Sequence, residues 1–498
     1  MKSKLFIITL LTLLVAGCTR EPLPEPEREG GKIVTISATI PPETRVLYDD
    51  TDLSLTWQTG DTLLLAGYDG TTYKGSEKFH WTGGDSFQGT DVPGATTYKA
   101  YYPAGAITLN ETTGDVQLPD NFWEQTQNGD GTTVHLRNKL LLFDEQAHSI
   151  NQIFNLVAKS SIIKFNLSGI PQEVGALRKL IYRVETAPGV FKSVPLDVTG
   201  VTFSASTSSL TAFLSFDPTV MTNTVAGGKV IIRLKGDKLY QWSQSVALGK
   251  DYVAGNRYTG AVSSGWADIT TPLYYIAEYN VTQDGDGFVT DLTSCSGSGY
   301  FTWSEAFDLF NNTTTIGGVN YHWPSDSEWF GIVPKYVKTG YYVHFKTEYS
   351  YDNVYESVKV RSEFFNVYGN FRTTPNNISY ALRYRNTVWY SAWRYEYIAD
   401  GNNTHMKITS RKVATSVTVG AIAQESFWTS GTEKDIVRYF PAGGYGSSSY
   451  QGERGYFWSS TAHSSNNSYA WYMLFNTDRA YSNNTPKIFK NTVRLFYD

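Results

Sequence analysis

The chain has 498 residues, a formal net charge of −5, and is 18% charged and 15% aromatic. A slightly negative sequence without a basic cluster excludes nucleic acid as an expected partner. Its length supports about two to four domains with large cores, and Cys18 and Cys295 are the only cysteines. The seven histidines (His80, His135, His148, His322, His344, His405 and His463) never fall at metal-ligand spacing. No Cys/His zinc set, HExxH motif or Gly-rich phosphate loop is present, so no metal or cofactor is expected.

Lys2 and Lys4 precede an apolar run from Leu5 to Val15. That run is short for a permanent membrane span and predicts a signal peptide over residues 1–17. It ends in Leu14-Val15-Ala16-Gly17-Cys18, which resembles the lipobox of bacterial lipoproteins. The resemblance implies lipidation of Cys18 and anchoring in a membrane, each buried methylene contributing about 0.8 kcal/mol. Residues 18–31 alternate Pro22, Pro24 and Pro26 with Glu21, Glu25, Glu27 and Glu29. Such a segment can bury nothing and predicts a solvated tether. Acidic residues behind a lipidated cysteine are also similar to the surface-export signal of Bacteroidetes lipoproteins, which implies the outer face of the outer membrane.

Beyond the tether the pattern is mostly strand. Lys32 to Ile40 alternates, with Val34, Ile36, Ala38 and Ile40 on one face. Leu53 to Trp57 alternates again, and a turn at Thr59-Gly60-Asp61 leads into the apolar run 63–66. Further strands are predicted at Thr97 to Tyr102, Ser161 to Leu167, Leu210 to Phe216 and Lys229 to Leu234, with a final strand region over 251–261. Short strands separated by Gly, Asn and Asp clusters predict β-sandwiches.

Several motifs occur in order: Thr44-Arg45, Leu55-Thr56-Trp57-Gln58-Thr59-Gly60-Asp61, Tyr98-Lys99-Ala100-Tyr101-Tyr102-Pro103, Ile153-Phe154-Asn155-Leu156 and Ile162-Ile163-Lys164-Phe165. Together they resemble the fimbrillin-like proteins of Bacteroidetes over residues 32–262. The resemblance implies two transthyretin-like β-sandwich subdomains in which Trp57 and Tyr101 are core aromatics. It also implies partnership with other pilin subunits by strand complementation, in which an Arg-specific protease removes the first strand. Arg45, just after Pro41-Pro42, is the candidate cleavage site, with Arg20 and Arg28 as rivals. Physically, an opened sandwich presents unpaired backbone and apolar slots for alternate side chains.

Ser263-Ser264-Gly265 reads as a hinge, after which Tyr, Trp, Phe, Asn and Ser become dense. Thr302-Trp303-Ser304-Glu305 predicts a capped helix start, and Trp303, Ala306, Phe307 and Phe310 follow at helical spacing. Next come Tyr321-His322-Trp323-Pro324-Ser325-Asp326-Ser327-Glu328-Trp329, Phe440-Pro441-Ala442-Gly443-Gly444-Tyr445, Gly455-Tyr456-Phe457-Trp458-Ser459-Ser460-Thr461 and Asn491-Thr492-Val493-Arg494-Leu495. This succession resembles the Fibrobacter succinogenes major paralogous domain over residues 266–498. It implies an α+β, C-type-lectin-like fold behind the β-sandwiches, closed by a last strand carrying Val493-Arg494. Trp323 stands where the family pattern has Leu, and no cysteine accompanies Val493-Arg494.

Chemistry is not expected here. The related formylglycine-generating enzymes use a pair of cysteines and copper, whereas Cys295 stands alone and reads as a small apolar filler. Asp284-Gly285-Asp286-Gly287 opens like a calcium loop, but Cys295 occupies the position of the closing Glu, so it reads as a Gly-rich turn. The Glu-Pro-Asn and Trp-Asn-Asp calcium signatures of sugar-binding C-type lectins are absent. Glu328 and Arg494 read as a structural contact between a helix and the last strand.

What remains is recognition. Trp389-Tyr390-Ser391-Ala392-Trp393-Arg394-Tyr395 and Ser464-Ser465-Asn466-Asn467-Ser468-Tyr469 look like surface loops whose aromatics give contact area at low entropic cost. Trp389, Tyr390, Trp393, Tyr395 and Tyr469 are therefore the candidate ligand-binding residues, for a host, bacterial or glycan ligand. Taken with the resemblances, the expectation is a non-enzymatic, lipid-anchored protein of the cell surface or fimbrium, a pilus tip subunit with a lectin-like adhesin domain. The alternative is a surface lipoprotein that binds glycans or peptides outside any pilus.

Overall fold

The computed structural model describes residues 32–40, 56–222, 225–246, 252–336, 342–374, 376–446 and 449–498. Cys18, Arg45, the signal peptide, the tether and the start of the predicted strand at 53–57 lie outside the described residues. The protein is mainly β, with several sheets. Among the described residues no helix is long and apolar enough to cross a membrane. Contacts divide the chain into two compact units, 32–120 with 140–158, and 121–139 with 159–498.

In the first unit eight strands bond into one continuous sheet. Their order is Ile153–Asn155, Ile33–Thr39, Ser86–Thr90, Thr72–Gly83, Thr62–Asp69, Thr97–Tyr102, Leu142–His148 and Val157–Ala158. Strand Ile33–Thr39 lies between a parallel neighbour, Ile153–Asn155, and an antiparallel one, Ser86–Thr90. The alternation of its sequence sends Ile36 and Ala38 inward, where both are buried. The Trp57 indole donates to the Ala38 carbonyl at 3.1 Å, so the buried Trp57 covers this strand. The Gly and Asp of that Trp-x-x-Gly-Asp motif have separate tasks. Gly60 takes φ +89° in the turn, a conformation a Cβ would penalise. Asp61, buried, accepts from the Gln58 amide at 2.6 Å and the Tyr102 hydroxyl at 2.9 Å.

The second unit begins with a two-sheet sandwich. Leu210–Phe216, Ser161–Leu167 and Arg257–Val262 form one sheet. The other runs Ala267–Asp268, Leu239–Ser245, Lys229–Lys235, Lys179–Ala187, Val190–Thr199 and Thr126–Asn128. Phe165, Leu210 and Leu214 of the first pack with Leu180, Leu196 and Ile232 of the second in one core. The edge strand Leu210–Phe216 is closed without a partner strand. The Gln127 side chain accepts from Phe213 N and donates to Thr211 O, both at 2.9 Å. Gln125 does the same at Ser215, at 2.9 Å and 2.6 Å. Two side-chain amides thus satisfy backbone groups that an open edge would expose.

Just beyond the predicted hinge at 263–265, Ala267–Asp268 pairs with Leu239–Ser245 and so extends the sandwich sheet. The rest builds on an antiparallel meander of six strands, Ser350–Val360, Glu363–Thr374, Ile378–Arg383, Ser391–Ile398, His405–Lys412 and Ile436–Pro441. A four-stranded sheet (Val343–His344, Arg479–Pro486, Tyr469–Phe475, Gly455–Ala462) and a three-stranded one (Thr314–Ile316, Val319–His322, Phe496–Tyr497) complete it. The predicted helix start is present as Trp303–Phe310 with a full Thr302/Glu305 capping box. The predicted last strand is different. Asn491 and Thr492 make only single bridges, the strand is Phe496–Tyr497, and Arg494 between them is wholly buried.

One buried ion pair organises the meander. Arg383 grips Glu356 with two bonds, 2.6 Å and 3.1 Å, and donates to the carbonyls of Phe330, Gly331 and Ile332 at the end of helix Asp326–Ile332. Tyr384 donates to Gly331 O at 2.6 Å, an approach that a Cβ at position 331 would obstruct. Breaking a buried pair on one side leaves an uncompensated charge and costs about 3–5 kcal/mol. Glu356→Ala is expected to lower the unfolding free energy of this unit by that amount, read by tryptophan fluorescence in urea. An unchanged midpoint would contradict the assignment.

Candidate functional site

A cavity of about 740 Å³ opens in the second unit where the sandwich meets the six-stranded sheet. Its walls come from distant parts of the chain. Lys238 stands on a sandwich hairpin, Tyr275 on the turn Pro272–Tyr275, and Arg361 and Ser362 on the hairpin joining the first two meander strands. His322, Glu328, Lys359, Glu363, Trp389, Tyr497 and Asp498 complete the charged and aromatic lining.

Glu328 is placed by local sequence. Ser325 caps helix Asp326–Ile332, and Glu328 Oε2 accepts from both the Ser325 amide and its hydroxyl at 2.8 Å. That leaves Oε1 for His322 Nε2 at 3.0 Å and Lys359 Nζ at 3.5 Å. His322 Nδ1 lies 2.7 Å from Asp498 Oδ1, so both ring nitrogens face carboxylates and an imidazolium donates at each. Burial works against charge on His322, but its bonds to Glu328 and Asp498 outweigh it and raise the pKa. Burial would likewise raise Glu328, yet His322, Ser325 and Lys359 bring it below the usual carboxylate value. The arrangement is a saturated ion network, with Glu328 held as an anion.

The aromatic wall is compact. Tyr275 and Trp389 meet edge to face with centroids 5.8 Å apart, and the Arg361 guanidinium lies 5.5 Å from the Tyr275 ring centroid. Arg361 takes φ +55°, a strained backbone for a non-glycine at a hairpin turn. The buried Trp389 indole N–H has no partner among the described residues. Aromatic faces beside fixed ionic donors and acceptors suit a polar ligand with an apolar face, such as a sugar.

The five aromatic candidates do not form one surface. Trp389 lines this cavity, while Tyr390 lines a second of about 390 Å³ and donates to Val417 O. Trp393 and Tyr395 have no accessible surface. Segment 391–398 is a central strand and not a loop, and Tyr395 donates to Ile332 O in the core. Those two are corrected to core residues. Tyr469 is half-buried at the start of strand Tyr469–Phe475 and lines neither cavity. Exposed aromatics occur instead on the first meander hairpin, where Phe364 is 70% and Tyr355 57% exposed. The alternation of 350–368 was the sequence signal for that face.

The other chemical readings resolve simply. Arg494 does not meet Glu328; it bonds Asn280 Oδ1 and the carbonyls of Ala277, Glu278 and Tyr439. Cys295 is buried and its thiol is pushed up to about 11 by desolvation, which leaves it unreactive. Residues 284–287 form a turn in which Asp286 accepts from Thr282. No group of three potential metal ligands occurs among the described residues.

A family model described as a domain of unknown function (DUF8237) matches residues 268–496. No curated protein matches the chain. Among solved structures, similarity is found to a fimbrial protein from Bacteroides ovatus, with 12% identity, TM-score 0.24, and 94% of this chain and 99% of that one covered. It is also found to the fimbrial anchor protein Mfa2 from Porphyromonas gingivalis, with 11% identity, TM-score 0.22, and 41% and 78% covered. A candidate cell adhesion protein from Bacteroides ovatus matches with 14% identity, TM-score 0.28, and 48% and 96% covered.

The His322 network has a pH signature. Its raised pKa adds stability that is full below the unfolded histidine value of about 6.5 and lost as pH rises through the folded value. Glu328, lowered, adds stability present above its unfolded value and lost as pH falls through its folded one. Wild type is expected to lose unfolding free energy relative to His322→Gln as pH rises above about 6.5. Parallel pH profiles of the two proteins would contradict the network.

Proposed function

We propose that the protein is a non-enzymatic, lipid-anchored cell-surface subunit that joins a fimbrium at its tip and offers a ligand-binding C-terminal region. The observation that carries this reading is the seat of strand Ile33–Thr39. It is the first described strand, held between two neighbours by backbone pairing, with Ile36 and Ala38 as apolar plugs and Trp57 above it. Removing it would leave a groove with unpaired backbone on both sides and slots at alternate positions, the receptor that strand complementation needs. Cleavage after Arg45 would release both this strand and the lipid on Cys18. The C-type-lectin-like assignment of 266–498 belongs to the same reading, and the cavity bearing Trp389, Tyr275 and Arg361 is its ligand site.

Protein recovered from sheared pili is expected to begin at Val46 on N-terminal sequencing. An intact acylated Cys18 in that fraction would rule out this maturation. On a glycan array, Arg361→Ala is expected to weaken binding by the full chain about tenfold or more, since bonds to a charged group contribute about 1.5–3 kcal/mol. Binding equal to wild type would remove the cavity from the ligand site.

A further inference from the structure

A smaller cavity, about 290 Å³, is also lined by both the sandwich and the meander, and its charges do not balance. Arg183, Arg233, Lys235 and Arg438 line it, against the carboxylates of Glu278 and Asp435. Both carboxylates are already engaged. Glu278 lies 3.0 Å from Lys235 Nζ, whose charge holds its carboxyl down at about 2. Asp435 lies 2.6 Å from Arg411 Nε, and the neighbouring Glu433 lies 2.6 Å from Lys229 Nζ.

Three guanidiniums are thus left with neutral acceptors among the described residues. Arg438 donates to the carbonyls of Tyr274, Ile276 and Val437. Arg233 donates to Gln241 Oε1 at 2.9 Å and to the carbonyls of Glu433 and Asp435. Arg183 donates from Nε to Ser193 Oγ at 3.2 Å, and its buried Nη1 has no partner. Buried cations are costly without an anion or full hydrogen bonding. The cost shows on two of these groups: burial lowers Arg183, and burial with Arg183 nearby brings Arg233 down to about 9, even though Asp435 and Glu433 act the other way on both.

We propose that this cavity binds a tetrahedral oxyanion, sulfate or phosphate, free or carried on a sugar, with Arg183 and Arg233 as its principal donors. Guanidinium forks match such oxygens two at a time, which lysine cannot do. The volume is at the low end for ligand sites, as a small anion requires. The anion would supply the charge that the carboxylates do not, and this site stands apart from the cavity holding Trp389.

The test uses the full chain and inorganic sulfate in isothermal titration calorimetry, at constant ionic strength set with chloride. Saturable binding of one sulfate per chain is expected, weakened at least tenfold in Arg183→Gln and less in Arg183→Lys, which keeps the charge. Each variant's Tm in chloride reports its folding. Galactose 6-sulfate binding more tightly than sulfate would mark a sugar-borne group, and weaker binding would mark the free ion. Absence of saturable sulfate binding to wild type, or equal affinity in folded Arg183→Gln, would overturn the proposal.

Discussion

The second unit depends on one buried connecting segment, residues 269–276. Buried backbone must be satisfied, and here it is satisfied from both sides. Toward the sandwich, Thr270 Oγ1 accepts from Leu239 N at 2.9 Å, while the Tyr274 and Tyr275 hydroxyls donate to the carbonyls of Gly236 and Asp237. Toward the meander, Arg438 donates to the carbonyls of Tyr274 and Ile276, and Thr271 and Ser410 share a hydroxyl bond. Flanking ion pairs join Lys412 to Asp268 and Lys235 to Glu278. A segment held this way is a structural member and not a linker.

Both cavities follow from that segment. Tyr275 forms part of the aromatic wall of one, and Tyr274 lines the other. Lys238 and Arg233 enter from sandwich strands or their turns, whereas Arg361, Trp389 and Arg438 come from the meander. Neither lining exists without the two halves held in register. The ionic groups are correspondingly divided: Glu328 is saturated by His322, Ser325 and Lys359, while Arg183 and Arg233 hydrogen-bond only neutral acceptors. The first arrangement fixes a wall, and the second has charge left for a ligand.

Local patterns in the sequence carried the local structure. The alternation of 33–39 and 161–167, and the capping boxes at Thr302 and Ser325, specify strands and helix starts through neighbours three or fewer positions away. Burial within a dense aromatic run was not legible. Trp389 to Tyr395 has the composition of a recognition loop, but its position as the fourth of six strands puts Trp393 and Tyr395 in the core. The cavities were hidden for another reason. Their bonds join residues far apart in the chain, 176 positions for His322 with Asp498 and 164 for Arg438 with Tyr274. The Thr270-Thr271-Pro272 stretch looks like a polar connection because its hydroxyls serve buried partners, Leu239 backbone and the Ser410 hydroxyl, and a buried hydroxyl reads in sequence as one facing water.

The central claim, that segment 269–276 makes the sandwich and the meander one cooperative structure, is tested most directly by native-state hydrogen exchange of the full chain across a urea series. Peptides covering 161–167 and 179–187 are predicted to open with the same free energy and the same urea dependence as peptides covering 391–398 and 405–412. Sandwich peptides that exchange at low urea while 391–412 stays protected would contradict it.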